Sequence, residues 1–299
     1  RNNKGAPRAM AHAITSEITV TPLSAACGAE IAGIDLRETL SPETFDAITR
    51  AWREHIVLLF RGQELDQDQQ LAFAGRFGKT GVRARPADDR PEGADYHAGI
   101  MLVSNIRKDG KPIGSLPDGE MWFHHDMCYV AEPHKGTFLY AIEIPDTGGN
   151  TRFTNMYMAY DALSDRLREK LTGRTVLHVY DYKQTRKADI DGDMSDVHHY
   201  TQPIFVTNPQ SGRKALYVNQ LMTARIDGLA RDESDAILDE LFDIVERPEH
   251  VFEHVWTPGD LVMWDNLCSC HARTDFPAGQ RRLLRRCTVE GSGVLRENP

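Results

Sequence analysis

Phe123-His124-His125-Asp126 decides how this 299-residue chain is read, because it sets an imidazole and a carboxylate either side of a single residue. Side chains alternate along an extended segment, so a strand over Met121–Tyr129 would put His124 and Asp126 on one face and His125 on the other. A further imidazole, His271, follows far downstream. Arriving from a remote strand, it would complete one triangular face of an octahedron. Two histidines and one carboxylate with the opposite face open are the donor set of non-haem Fe(II) oxygenases. Alone, a His-x-Asp step arises by chance, and a lone histidine is more often structural than a ligand. The rest of the chain has to support the metal reading.

The bulk properties narrow the field. A chain of this length, 40% hydrophobic, can bury one large core or two smaller ones. The net charge of −9 argues against a nucleic-acid binder. The longest apolar run, Ile56–Phe60, is strand-sized and far short of the roughly 20 residues that span a bilayer. Residues 1–17 read as a flexible tail, and the polar, basic start does not read as a signal peptide. Five cysteines (27, 128, 268, 270, 287) do not make a disulfide framework in a chain this long, and they fit reduced thiols in a cytoplasm. Cys268-Ser269-Cys270 has no second cysteine pair, so strand packing is its expected role.

Turn signals and apolar spacing divide residues 18–299, read as one domain. Short strands are expected at Ile18–Val20 and Ala29–Ile34. Ser41-Pro42 opens a helix carrying Phe45, Ile48, Ala51 and Trp52. The strand Ile56–Phe60 follows, then a helix capped by Asp66 and stopping at Gly78. Residues 79–100 are Gly-, Pro- and charge-rich and read as a long loop, a class that is usually functional. Further strands are expected at Met101–Ile106, Thr137–Ile144, Gln202–Thr207, Lys214–Asn219, Leu261–Trp264 and Leu283–Glu290. Helices are expected at Asn155–Leu171, within which Ser164 and Asp165 can start a second helix, and at Asp232–Glu246, with a second lid-like loop at 181–197. Strands outnumber helices, and no βαβ alternation or glycine-rich phosphate loop is present. The expected class is α+β, built on an antiparallel sheet pair.

Three other segments bear on the chemistry. Trp264-Asp265-Asn266 ends an apolar strand before His271, which on the plainest reading is a surface-loop histidine. In Gln280–Arg286, Arg282, Leu284 and Arg286 share one face, and Arg281, Leu283 and Arg285 the other. Arginines projecting inward are costly unless they meet anions. A solvated basic edge strand is the alternative, and the alternation leaves open which face is inside. Thr147-Gly148-Gly149-Asn150-Thr151 is a turn that ends in a hydroxyl.

Taken together, these residues resemble the TauD/TfdA family of Fe(II)/2-oxoglutarate-dependent dioxygenases (taurine dioxygenase and 2,4-dichlorophenoxyacetate dioxygenase). The resemblance runs from about Ile18 to Val289. It is carried by Gly28–Leu36, Phe123–Asp126, Pro145–Thr151, Gly212–Asn219, Trp264-Asp265-Asn266 with His271, and Arg282 with Arg286. It implies a double-stranded β-helix (jelly roll, cupin-like) flanked by helices. His124, Asp126 and His271 would hold Fe(2+). Thr151 and Arg282 would bind the distal carboxylate of the co-substrate 2-oxoglutarate, and Arg286 the acid group of the substrate. With O2, a small organic acid would be hydroxylated as succinate and CO2 are released. Family members are often homo-oligomers, and the resemblance extends that expectation here.

Departures from the family pattern bear on the substrate. Relatives usually have Trp directly before the first ligand and a small or hydroxylated residue between the two ligands. Here Phe123 and His125 take those places, with Trp122 one position earlier. Taurine-using members carry an amide where Glu120 stands, and a histidine in the loop that here supplies Arg83 and Arg85. These differences point away from taurine and toward another carboxylate or sulfonate, such as an aryloxyalkanoate. Two rivals remain at this level: a non-catalytic jelly-roll binding protein and a zinc-dependent hydrolase. An intact donor set with Arg282 argues against the first. The lack of an HExxH helix and the unexplained arginines argue against the second.

Overall fold

Apolar strands pair into two main sheets in the computed structural model, which describes residues 18–83, 87–116, 119–180 and 190–298. The expected tail 1–17, and residues 181–189 of the expected second loop, lie outside the described residues. The larger sheet has seven strands in the order Thr19–Pro22, Ala29–Ala32, Val57–Phe60, Leu261–Asp265, Gly136–Glu143, Leu283–Val289, Met101–Ser104. Only Ala29–Ala32 and Val57–Phe60 run parallel within it. The smaller sheet orders Val251–His254, Thr151–Asn155, Ser269–Arg273 and Met121–His124, all antiparallel. The α+β class and the antiparallel sheet pair follow the sequence expectation.

The period of two decides where the core lies. On the larger sheet, Leu58, Phe60, Phe138, Leu261 and Met263 pack with Ile48, Trp52 and Phe73 of the two early helices. Their neighbours Val57, Leu59, Leu139, Val262 and Trp264 face the other way, into a core shared with Phe123, Phe153 and Ala272 of the smaller sheet. Central strands buried on both faces read as continuous apolar runs, as Val57–Phe60 does. Phe153 and Trp264 meet across the two sheets with ring centroids 5.3 Å apart.

The helices start where the sequence places them. Ser41 caps Pro42–His55 by accepting from Thr44 N, and Asp66 with Gln69 forms a reciprocal capping box on Gln67–Ala74. The second helix stops at Ala74, short of the expected Gly78. Phe77 still packs on Trp52 and Phe73 from the turn that follows, so the apolar spacing outlasts the helix. Asn155 is a cap on Met156–Asp161 and the last residue of the strand Thr151–Asn155, so the expected helical stretch begins one residue late, and its second helix, Asp165–Leu171, starts at Ser164-Asp165 as expected. The strands Thr175–Val179, Thr223–Ile226 and Val251–His254 were not expected. Val251–His254 is a short edge strand with only His254 fully buried, which leaves little alternation to read.

No helix among the described residues is long and apolar enough to cross a membrane. All five cysteines are buried and free; Cys270 and Cys287 lie on strands, whereas Cys27, Cys128 and Cys268 lie in bends or turns.

Candidate metal centre and its cavity

The two histidines meet because of sheet register. His124 and His271 are direct partners on the antiparallel strands Met121–His124 and Ser269–Arg273. Directly opposed residues stand about 5 Å apart, and here the ring centroids are 4.1 Å apart. His271 is therefore a strand residue, not a surface-loop histidine.

Asp126 arrives differently from the expected manner. The strand ends at His124, so Asp126 does not reach the shared face by strand alternation. The chain turns instead, with Met127 in the left-handed region at φ 60°, and the turn brings the carboxylate round to the imidazoles. Asp126 Oδ1 lies 3.9 Å from both His124 Nε2 and His271 Nε2. Donor atoms of the three residues all fall within 4.8 Å of one another, the one such group among the described residues.

The hydrogen bonds orient these donors toward a common point. His124 Nδ1 lies 2.9 Å from the Trp122 carbonyl, so its proton sits there and the Nε2 lone pair faces inward. Asp126 Oδ2 accepts from Thr137 Oγ1 (2.8 Å) and from Arg286 Nη2 (2.7 Å), which leaves Oδ1 toward the imidazoles. Asn266 Nδ2 donates to Thr137 Oγ1 at 2.9 Å, which commits the threonine proton to Asp126. Burial holds both imidazoles below the ordinary histidine range, His271 down to about 3. Burial alone would raise the Asp126 carboxyl, but Arg286 and the two imidazoles outweigh it and hold it far below the usual carboxylate range. Neutral imidazoles and an ionised carboxylate are the states that bind a divalent metal.

These residues open on a cavity of about 540 Å³, also lined by Thr151, Trp264, Arg273, Arg282, Arg286 and Arg83. Arg282 is 1% exposed. Its Nη2 donates to the Gly149 carbonyl at 3.1 Å, while Nε and Nη1 have no partner among the described residues. Burial, with Arg273 nearby, lowers its pKa to about 9. A buried guanidinium with unmet donors is costly unless an anion joins it, and a carboxylate matches its fork. Trp256 Nε1 donates to Thr151 Oγ1 at 3.0 Å, which leaves the threonine's own proton to give into the cavity. Gly149 fits here because a Cβ would lie 3.1 Å from Arg282 Nε, and its φ of 66° disfavours any other residue.

The arginine run resolves into two sides. Arg282 and Arg286 line the cavity. Arg281 pairs with Glu143 at the surface, and Arg285 is buried on the opposite side against Gln70 Oε1 and the Leu65 carbonyl. Arg286, expected at the substrate's acid group, is found at the Asp126 carboxylate. Arg83 is fixed at the cavity wall by Glu92, whose side chain is 1% exposed (2.6 Å). Arg85 lies outside the described residues, and Glu120 bonds Trp122 Nε1 away from this cavity. Sequence reading assigned no role to Thr137, Asn266, Trp256 or Glu92. Of these only Asn266 carried a signal, as part of the Trp264-Asp265-Asn266 motif.

Residues 19–288 match the family described as "Taurine catabolism dioxygenase TauD, TfdA family". The chain belongs to the TauD, TfdA family. Pentalenolactone F synthase of Streptomyces avermitilis is 35% identical over 291 residues, covering 90% of this chain and 92% of that protein. The alpha-ketoglutarate-dependent 2,4-dichlorophenoxyacetate dioxygenase of Cupriavidus pinatubonensis is 32% identical, covering 93% and 99%. Among solved structures, AAD-2 in complex with Mn(II) and N-oxalylglycine superposes with a TM-score of 0.76 at 28% identity, covering 94% of this chain and 100% of that one. As a TauD, TfdA family member the chain is an oxidoreductase that uses Fe(II), 2-oxoglutarate and O2. That membership favours the dioxygenase over a zinc hydrolase or a non-catalytic binder.

Proposed function

We propose that this dioxygenase hydroxylates a small organic acid, a carboxylate or sulfonate of the aryloxyalkanoate kind, within the 540 Å³ cavity. The observation that carries the reading is that two further guanidiniums, Arg286 and Arg83, line the same cavity as the His124, Asp126 and His271 donors, beside the Arg282 set aside for 2-oxoglutarate. Iron with its co-substrate supplies the oxidation: R–H, O2 and 2-oxoglutarate become R–OH, succinate and CO2. Residues 18–299 act as one catalytic unit, with the two facing sheets read as a double-stranded β-helix.

Each side chain has a defined task in this scheme. His124, Asp126 and His271 would hold the metal. Arg282 and the Thr151 hydroxyl take the distal carboxylate of 2-oxoglutarate. Arg286 serves two anions, steadying Asp126 through Nη2 while its second nitrogen, 3.8 Å from Met101 Sδ, borders the substrate space. Arg83 adds a second positive charge on that side. Met101, Val103, Leu139 and the Tyr129–Tyr180 pair supply apolar walls for the body of the acid. These walls and charges hold one C–H close to the metal and limit water.

The test is a panel of acids incubated with enzyme, Fe(II), 2-oxoglutarate and air. Succinate and hydroxylated product are measured together, and a parallel run uses Zn(II). At least one aryloxyalkanoate, other carboxylate or sulfonate should raise succinate release in step with its own hydroxylation, with Fe(II) alone. If no acid does so, the substrate reading fails.

A further inference from the structure

His125 stands between two metal ligands, and nothing in the chemistry above uses it. Its ring turns away from the cavity and is fully buried behind the smaller sheet, beside Cys270. There it lies over Tyr217, with centroids 4.1 Å apart and planes at 32°. Cys270 Sγ sits 3.3 Å from Nδ1 and 3.5 Å from Nε2. Asn219 Nδ2 is 3.4 Å from Nδ1 and 3.6 Å from Cys128 Sγ.

The chain positions give these contacts meaning. Cys270 directly precedes His271. Cys128 follows Asp126 by two residues, and His125 joins His124 to Asp126. The front of the ladder presents His124 opposite His271. Behind it, His125 touches the residue next to His271. Asn219 is itself fixed, because its Oδ1 accepts from Met222 N and its own N–H donates to Thr223 Oγ1, both at 2.8 Å. A rigid amide therefore grips the one histidine that touches both arms of the donor set. The Gly212–Asn219 motif acquires a role it did not have from sequence.

We propose that His125, gripped by Asn219 and Cys270, is a positioning residue that sets the spacing of the His124–Asp126 arm against the His271 arm, and so governs how tightly the metal is held. Asp126 hangs from a turn and has no ladder partner of its own, so its distance from His271 depends on what holds the turn. Thr137 and Arg286 hold the carboxylate from the front. The buried contacts of His125 hold the backbone from behind. Donor groups must be fixed within about 0.5 Å to bind well, which packing of this kind provides.

The inference rests on the metal assignment, and the experiment separates the two. Metal-free protein is titrated with Co(II), followed by its visible absorbance, and unfolding midpoints are measured without metal. Wild type should bind Co(II) and His124→Ala should not; if wild type fails to bind, the metal assignment and this inference both fall. His125→Phe keeps the stacked ring but gives Asn219 no acceptor, and should weaken Co(II) binding about tenfold, in the range seen for groups that orient metal ligands. Asn219→Ala should weaken it in the same direction, and the double variant no further than His125→Phe alone. The metal-free midpoints of the variants should stay near that of wild type. Unchanged Co(II) affinity in both single variants, or a lowered midpoint without loss of affinity, would mean a purely structural role and overturn the inference while leaving the metal site standing. If His125→Phe does not fold, Cys270→Ala, which removes only the Sγ contact, gives the same reading.

Discussion

Two arginines of one cavity are built in opposite ways. Arg282 is 1% exposed, just before the strand Leu283–Val289, and tied to the Gly149 carbonyl. Arg83 has a side chain 24% exposed, sits on a long segment outside both sheets, and is held by a single carboxylate, Glu92. On the proposed assignment the first would be a fixed receptor for the co-substrate carboxylate, a group that never changes. The second belongs to a wall that can vary without disturbing the sheets. A co-substrate common to the family and an acid that differs between relatives call for that division.

The largest effect should come from the feature both sides share. His124→Ala removes a metal donor, so succinate release should fall to background with every acid. Residual coupled turnover would break the comparison at its root. Arg282→Ala should act on one side only, weakening 2-oxoglutarate use by about 2–5 kcal/mol, as loss of one partner of a buried charge pair does. The KM for the acid should move little, and an unchanged KM for 2-oxoglutarate would contradict the assignment. Thr151→Val, which removes one donor to a carboxylate, should cost about 1.5–3 kcal/mol on the same co-substrate. Arg83→Met should give the smallest change, a rise in the acid's KM below about tenfold with 2-oxoglutarate use intact, because a partly exposed charge is screened by water. A 2-oxoglutarate effect at Arg83 would erase the distinction between the two sides.

The residue types of the site were legible in the sequence, but their approach to one another was not. His124 and Asp126 stand out by spacing, yet alternation along a strand was the wrong route for Asp126, which reaches the site through a turn at Met127. His271 could be named by resemblance, but only the pairing of two remote strands sets it opposite His124. The arginine alternation was plain and its inward face was not. That was fixed by strand pairing and by a shift in register between Leu283 and Leu284. Glu92 lies in a charged, glycine-rich stretch that reads as solvated loop, and its burial depends on closure over Met101–Ser104, where it accepts from Leu102 N. Thr137 and Trp256 look like ordinary core residues until the fold puts Asp126 and Thr151 beside them. Local elements follow from local pattern, whereas these roles depend on contacts across 9 residues or more.

Trp264 stands between the two sheets, rooted in the larger one, with its ring 5.3 Å from Phe153 and 4.8 Å from His271. The indole is thus a spacer that transmits any sliding of one layer over the other to the aim of His271, a proposed iron ligand. Warming that loosens this interlayer seam would misdirect His271 while the backbone ladders still hold. Catalysis is therefore expected to fade at temperatures below the melting transition, so that heat silences the enzyme before it unfolds it.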